Sequence, residues 1–163
     1  MTHVVLSLGS NLHRETNIRF AVEKIRQQFG VIEISPVYEA ASVGFQGPSF
    51  LNLVTGFQCH HPLPELHTGL REIETACGRI RGRKSFDNRV LDIDVLLFGD
   101  RDMRADGYNI PRDEIGKYAY VLKPLADLYP DLCHPVSGLA YRQMWRDFNQ
   151  AEQQLVPVDF ALQ

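Results

Sequence analysis

The chain has 163 residues, 44% of them hydrophobic and 23% charged, and its formal net charge is −3 at pH 7. That length suits one domain over residues 1–163, with a core that needs no covalent staples. The charge excludes a broad nucleic-acid surface, which takes a basic excess, though not a single local basic site. The start of the chain lacks a basic segment followed by a long apolar run, and no stretch approaches the roughly 18 apolar residues of a spanning helix. Cys59, Cys77 and Cys133 are odd in number and far apart, which argues against a disulfide framework. Together these features predict a cytoplasmic protein in a reducing setting, with no membrane and no nucleic-acid partner.

In chain order, His3 to Leu8 reads as a short apolar strand ending at Gly9. Asn11 is placed to cap a helix in which Ile18, Ala21, Val22, Ile25 and Phe29 recur at helical spacing, closed by Gly30. Val31 to Tyr38 reads as a second strand. Glu39 to Ser49, "EAASVGFQGPS", is too long for a hairpin turn and is a candidate binding loop. Phe50 to Cys59 is a third strand, with Phe50, Asn52 and Val54 on one face. A second helix starts at Pro62 or Pro64, carries its apolar stripe on Leu63, Leu66, Leu70, Ile73 and Cys77, and ends at Gly78. A basic loop, "RIRGRKSFDNR", then feeds the strand of "NRVLDIDVLLFG". The order β-α-β-β-α-β predicts a ferredoxin-like α+β sandwich, an antiparallel sheet with both helices on one face. Beyond Gly99 the pattern weakens to a short helix in "YVLKPLADLYPD" and a terminal helix from Leu139 to Phe148.

The aspartates of the last strand are the sharpest chemical signal. Asp92 and Asp94 interrupt an otherwise apolar run, and strand alternation points them to the same face, about 7 Å apart. On a solvated face each could pair with an arginine. As a ligand pair they suit Mg²⁺, which takes one or two carboxylates and completes its shell with water and substrate phosphates; two such ions can neutralise charge developing in phosphoryl transfer. Arg79, Arg81, Arg83, Lys84 and Arg89 stand just before this strand, and arginine's planar fork suits phosphate oxygens. Neither a GxxxxGK[ST] loop nor a GxGxxG run is present, so a nucleotide would be held by another scheme. Asn52, flanked by Phe50 and Val54, offers a donor and an acceptor at one edge, as a flat heterocycle with an amide-like edge requires; the plain alternative is an amide satisfied by nearby backbone. Cys59, His60 and His61 lack the spacing of a zinc site and read as a strand end and helix entry.

Four stretches, "LGSNL", "PVYEAASVGFQGPSFLN", "IETACGRIRGRKSFDNRVLDIDVLLFG" and "IPRDEIGKYAYVLKPLADLYPD", resemble the 6-hydroxymethyl-7,8-dihydropterin pyrophosphokinase family in order and spacing, over the chain from Val4 to Pro130. The resemblance implies transfer of pyrophosphate from ATP to the hydroxymethyl group of a reduced pterin in folate biosynthesis, by a monomer of ferredoxin-like fold. It implies that Asp92 and Asp94 hold two Mg²⁺ ions, that Arg79 and Arg89 engage the triphosphate, and that Arg81 and Phe86 belong to the loop closing over it. Glu74 matches the acid before that loop, and Gly9, Val43, Phe50, Asn52 and Tyr120 match the pterin pocket. The chain departs from the family pattern at Ala40 and Ala41, where a Thr-Pro pair is usual, at Arg112 in place of a histidine, and at Tyr118 in place of an arginine. Arg112 and Lys117 return positive charge for ATP. Two readings stand: the transferase, and a diverged homologue that binds a pterin or nucleotide with weak, altered or no transfer.

Overall fold

The protein is described here by a computed structural model over residues 1–41, 47–78 and 91–162. Its first strand, β1 (Thr2–Ser10), is buried from Val4 onward. A strand with apolar side chains on both faces cannot lie at an edge or against water, so it sits inside the sheet. It pairs antiparallel with β4 (Phe50–Cys59) along one side and with β5 (Asp92–Phe98) along the other. Two shorter strands, β2 (Ile32–Ile34) and β3 (Val37–Ala40), pair with β4, and β6 (Val156–Val158) pairs with β3. Among the described residues the sheet has six strands, ordered β5-β1-β4-β3-β6 with β2 also beside β4.

Helices α1 (Arg14–Phe29) and α2 (Leu63–Ala76) lie on one face, where Ile18, Val22, Leu66 and Leu70 pack against Leu6, Leu8 and Leu53. The sequence-based expectation of helices on one face holds for these two. The opposite face is covered as well, by α3 (Ala119–Leu128) and α4 (Tyr141–Asp147), whose Val121, Leu122 and Tyr141 pack on Val5, Val54 and Leu97. This third layer escaped the periodicity reading because α4 has seven residues and α3 carries Pro124, which interrupts the helical pattern.

Four local features differ from expectation. The stretch Val31 to Tyr38 is two strands, parted at Ser35 and Pro36. There Ser35 donates its N–H to the Val54 carbonyl and accepts the Val54 N–H at its own Oγ, both at 2.9 Å, a local substitute for the ladder beside a proline that has no N–H to give. Strand β3 then runs on to Ala40, into what reads as loop. The cap of α1 is His13, in the left-handed region at φ 44°, while Asn11 Nδ2 donates to the Pro48 carbonyl at 3.3 Å and ties the end of β1 to the entry of β4. Strand β6 was not anticipated; three residues around Pro157 carry too little pattern, and proline is tolerated there because the strand lies at the sheet edge. No described helix is long and apolar enough to cross a membrane.

Gly56 on β4 lies beneath the ring of Tyr129, where an added Cβ would overlap the hydroxyl. That hydroxyl donates to Glu33 Oε1 at 2.8 Å and lies 3.2 Å from His3 Nε2, so the ring cannot move aside without breaking both contacts. Gly56→Ala is expected to lower unfolding stability by about 1–3 kcal/mol, the usual cost of overpacking, read as a shift in denaturant midpoint with unchanged slope.

Candidate functional site

The strand register brings the predicted residues into one row. Asp92 on β5 lies opposite Gly9 on β1, Gly9 opposite Asn52 on β4, and Asn52 opposite Tyr38 on β3. Directly paired residues project to the same face, here the face covered by α3. In the next row Asp94 lies opposite Ser7, and Ser7 opposite Val54.

Asn52 is 4% exposed, and its Nδ2 has no hydrogen-bond partner among the described residues. A buried primary amide donor left unpaired costs about 1–3 kcal/mol, so its presence calls for an acceptor that arrives from outside. Gly9 makes the space: a Cβ there would lie 3.0 Å from Asn52 Oδ1 and 3.6 Å from Phe50 Cδ1. Phe50 is half-buried at the first residue of β4. From α3, Tyr120 is half-buried and stacks on Tyr118, with ring centroids 5.1 Å apart and an interplanar angle of 17°. Burial raises the Tyr120 hydroxyl pKa first, and the negative charges of Glu114, Asp94 and Asp92 raise it further. The ring packs against the cluster that holds Val54 and Leu97, on the same face of the sheet.

The acidic end is built along the open edge of β5. Glu74 on α2 is buried and accepts the Ile93 N–H at Oε2, 3.0 Å away, which satisfies an edge-strand donor that has no neighbouring strand. On the same edge the Arg112 N–H donates to the Leu96 carbonyl at 3.0 Å. The Arg112 side chain places Nε 2.6 Å from Glu114 Oε1 and Nη2 3.5 Å from Asp94 Oδ1. Desolvation pushes the Asp94 carboxyl up to about 7; Arg112 opposes this, and Asp92, Glu114 and Glu74 add to it. A cleft of about 240 Å³ runs past Glu74, Asp94 and Arg112 and is also lined by His67, Arg71 and Tyr108.

Asp92, Asp94, Gly9, Asn52, Phe50, Tyr120, Glu74 and Arg112 thus converge on one end of the sheet. Lys117 stays outside, exposed, with Nζ 3.0 Å from Asp113 Oδ2. Val43, Arg79, Arg81, Phe86 and Arg89 lie outside the described residues. Two residues of this neighbourhood had no signal in the sequence. Glu114 is one acid among several in a polar turn, and Asp127, which accepts from the Tyr38 hydroxyl and pairs with Lys123 at 2.8 Å, reads as helix surface. The donor set at Asp92 and Asp94 fits a hard divalent cation: oxygen ligands only, on one face, beside room for water and substrate oxygens.

Residues 5–130 match the family described as 7,8-dihydro-6-hydroxymethylpterin-pyrophosphokinase (HPPK). A 2-amino-4-hydroxy-6-hydroxymethyldihydropteridine pyrophosphokinase of Aquifex aeolicus is 31% identical over 150 residues, 91% of either chain. The protein of the same name from Pseudomonas aeruginosa is 32% identical over 81% of this chain and 83% of its own. A longer protein, the folic acid synthesis protein fol1 of Pneumocystis carinii, is 34% identical over 84% of this chain and only 19% of its own length. Among solved structures, a Plasmodium falciparum HPPK-DHPS shares the fold at a TM-score of 0.69 and 15% identity; the match covers 90% of this chain and 44% of that one.

The raised Asp94 pKa has a consequence for stability. A carboxyl held above its ordinary value of 3.8 binds its proton more tightly in the folded chain, so stability is lost as pH rises from about 4 to about 7 and stays lower above that. In metal-free buffer Asp94→Asn is therefore expected to melt a few degrees above the parent protein at pH 8 and together with it at pH 4. Thermal melts across that range check the sign; an unchanged difference at both ends would mean that Asp94 is not held above its ordinary pKa.

Proposed function

This chain belongs to the 7,8-dihydro-6-hydroxymethylpterin-pyrophosphokinase family, and we propose that it transfers pyrophosphate from ATP to 6-hydroxymethyl-7,8-dihydropterin, releasing AMP, in folate biosynthesis. The observation that carries this reading is the unpaired, buried Asn52 amide on the same cross-strand row as Asp92. From β4 to β5 is two strand spacings, roughly 10 Å, a span that suits a bicyclic heterocycle with a one-carbon arm. Asn52 would bond the amide-like edge of the pterin. Phe50 and Tyr120 would enclose its faces, Gly9 leaves the room, and Val43 would complete the pocket.

The phosphates would lie at the acidic end, in the cleft along β5. Mg²⁺ held by Asp92 and Asp94, as two ions, would screen the phosphate charge as it spreads in the transition state. Arg112 brings a permanent positive charge to the same place, with Arg79, Arg81, Arg89 and Phe86 of the preceding loop in the roles that their motif implies. Glu74 keeps the edge of β5 straight where the two aspartates emerge. Catalysis would come from holding the pterin hydroxyl in line with the β-phosphorus and from preorganised charge rather than from a covalent intermediate. The chain would act as a cytoplasmic monomer and a single domain, with only small molecules as partners. Tyr118 favours a second reading: an uncharged ring stacked on Tyr120 stands where the family pattern has an arginine, which suits a homologue with weaker or altered transfer.

Incubation with ATP, Mg²⁺ and 6-hydroxymethyl-7,8-dihydropterin separates these readings. AMP formed only when the pterin is present is the expected product; pterin-dependent ADP would overturn pyrophosphoryl transfer, and pterin binding without turnover would favour the second reading. Asn52→Leu tests the pocket separately. Because the Nδ2 donor has no partner among the described residues, its removal is expected to leave the melting temperature unchanged or slightly higher, while pterin affinity falls by at least 10-fold. Calorimetric titration of the variant with the pterin checks this, and undiminished affinity would remove Asn52 from the site.

A further inference from the structure

Arg112 is fixed at its base and loose at its tip. Its N–H is bonded to the Leu96 carbonyl, so its backbone runs along the edge of β5 only two residues beyond Asp94. Glu114 follows in the short 3-10 turn Asp113–Gly116, and the N–H groups of Lys117 and Tyr118 bond back to the Glu114 carbonyl, both at 3.1 Å, which holds that backbone too. Within this frame the Glu114 carboxylate takes Nε at 2.6 Å, the short distance of a charge-assisted bond. The Nη2 contact to Asp94 is longer, at 3.5 Å. A guanidinium has five N–H donors in a rigid fork. Glu114 engages the inner one and leaves the outer four, of which those on Nη2 face Asp94, on a side chain that lines the cleft. Both arginine and glutamate are only about a quarter exposed, 27% and 25% at their side chains, so this is not a solvent-screened surface pair.

We propose that Glu114 is a positioning residue: it anchors Arg112 through Nε so that the outer guanidinium donors neutralise Asp94 in the ligand-free protein and turn to the nucleotide phosphates when these arrive with their cation. The inference rests on the reading of the β5 cleft as the ATP site. One side chain then serves two anions in succession. The tight contact to Glu114 persists, and the loose contact to Asp94 is the one exchanged. Without the anchor, the guanidinium would spread over many rotamers, and ordering it would oppose each binding event.

The test compares Glu114→Gln, Arg112→Gln and the double variant, all in the full chain. Binding of α,β-methylene-ATP with Mg²⁺ is measured by calorimetry, and binding of Mn²⁺ alone by electron paramagnetic resonance. Each single variant is expected to weaken the nucleotide by about 10-fold, with the double variant no weaker than Arg112→Gln, because the glutamate acts only through the arginine. Arg112→Gln is also expected to tighten Mn²⁺ alone several-fold, since the competing cation at Asp94 is gone. A merely structural loss cannot weaken one ligand and tighten the other. Unchanged nucleotide binding in Glu114→Gln, additive losses in the double variant, or Mn²⁺ binding that is unchanged or weaker in Arg112→Gln would each overturn the proposal. The pterin-dependent AMP assay on the parent protein reads the underlying function separately: a parent that makes AMP beside an unaffected Glu114→Gln refutes the positioning role alone.

Discussion

Strand β1 is hydrogen-bonded along both edges, to β4 over nine residue pairs and to β5 across a register shift between Val5 and Leu6. Its alternate side chains are committed to two different cores, Leu6 and Leu8 beneath α1 and α2, Val5 beneath α3 and α4. A slip of one residue would turn every apolar side chain of one set towards the other layer. The register is therefore held by burial on both faces at once. The site inherits that precision, because Asp92, Gly9 and Asn52 come from three strands and share a row only in this register. The most buried and least tolerant part of the molecule thereby aligns Asp92, Gly9 and Asn52.

Charge is distributed with the same economy. Asp92, Asp94, Glu74 and Glu114 gather around one edge strand, where Arg112 faces Asp94 and Glu114 and Arg71 lines the same cleft as Glu74. The acids do not serve alike. Glu74 bonds a backbone N–H and Glu114 bonds a guanidinium, both structural duties, whereas the Asp94 carboxyl, among the described residues, meets the loose end of Arg112. Burial first, and then repulsion from Asp92, Glu114 and Glu74, raise the Asp94 pKa against the pull of Arg112, and a cation entering between the aspartates would relieve the repulsion. An acidic cluster that is uncomfortable without its ligand is the electrostatic form of preorganisation.

The fold survives at 15% identity to a solved HPPK-DHPS because a layered sheet asks only for apolar residues at the right period. The departures from the family pattern fall at two places: Ala40 and Ala41 at the end of β3, where Ala40 pairs with Phe50, and Arg112 and Tyr118 beyond β5. The structure gives each of the last two a definite local partner: Arg112 is engaged by Glu114, and Tyr118 lies flat on Tyr120. An arginine lost at one position and one gained at another, six residues earlier and tethered along the edge of β5, suggests a redistribution of positive charge within the cleft rather than its simple loss.

What the sequence determined by itself was whatever depends on short-range periodicity. The alternation in "VLDIDVLLF" made β5 a strand and put both aspartates on one face; the apolar stripes of α1 and α2 and the face shared by Phe50, Asn52 and Val54 were equally local, as was the order of elements that gives a ferredoxin-like sheet. Only the tertiary structure decided that α3 and α4, both readable as short helices, cover the second face, since ten residues with Pro124 among them and seven residues carry too short an apolar stripe to show which layer they join. The same holds for the polar partners. Ser35 repairing the ladder at Pro36, Asn11 reaching Pro48 instead of capping, Lys117 turning out to Asp113 while Arg112 turns in to Asp94: each choice is made between side chains with similar reach and chemistry, and nothing in their spacing distinguishes them. Strand and helix periods are properties of the backbone, repeated every two or 3.6 residues and therefore written in the sequence; the pairing of a particular charge or amide depends on which distant backbone happens to pass within 3 Å, and that is settled only when the sheet and its two covers have packed.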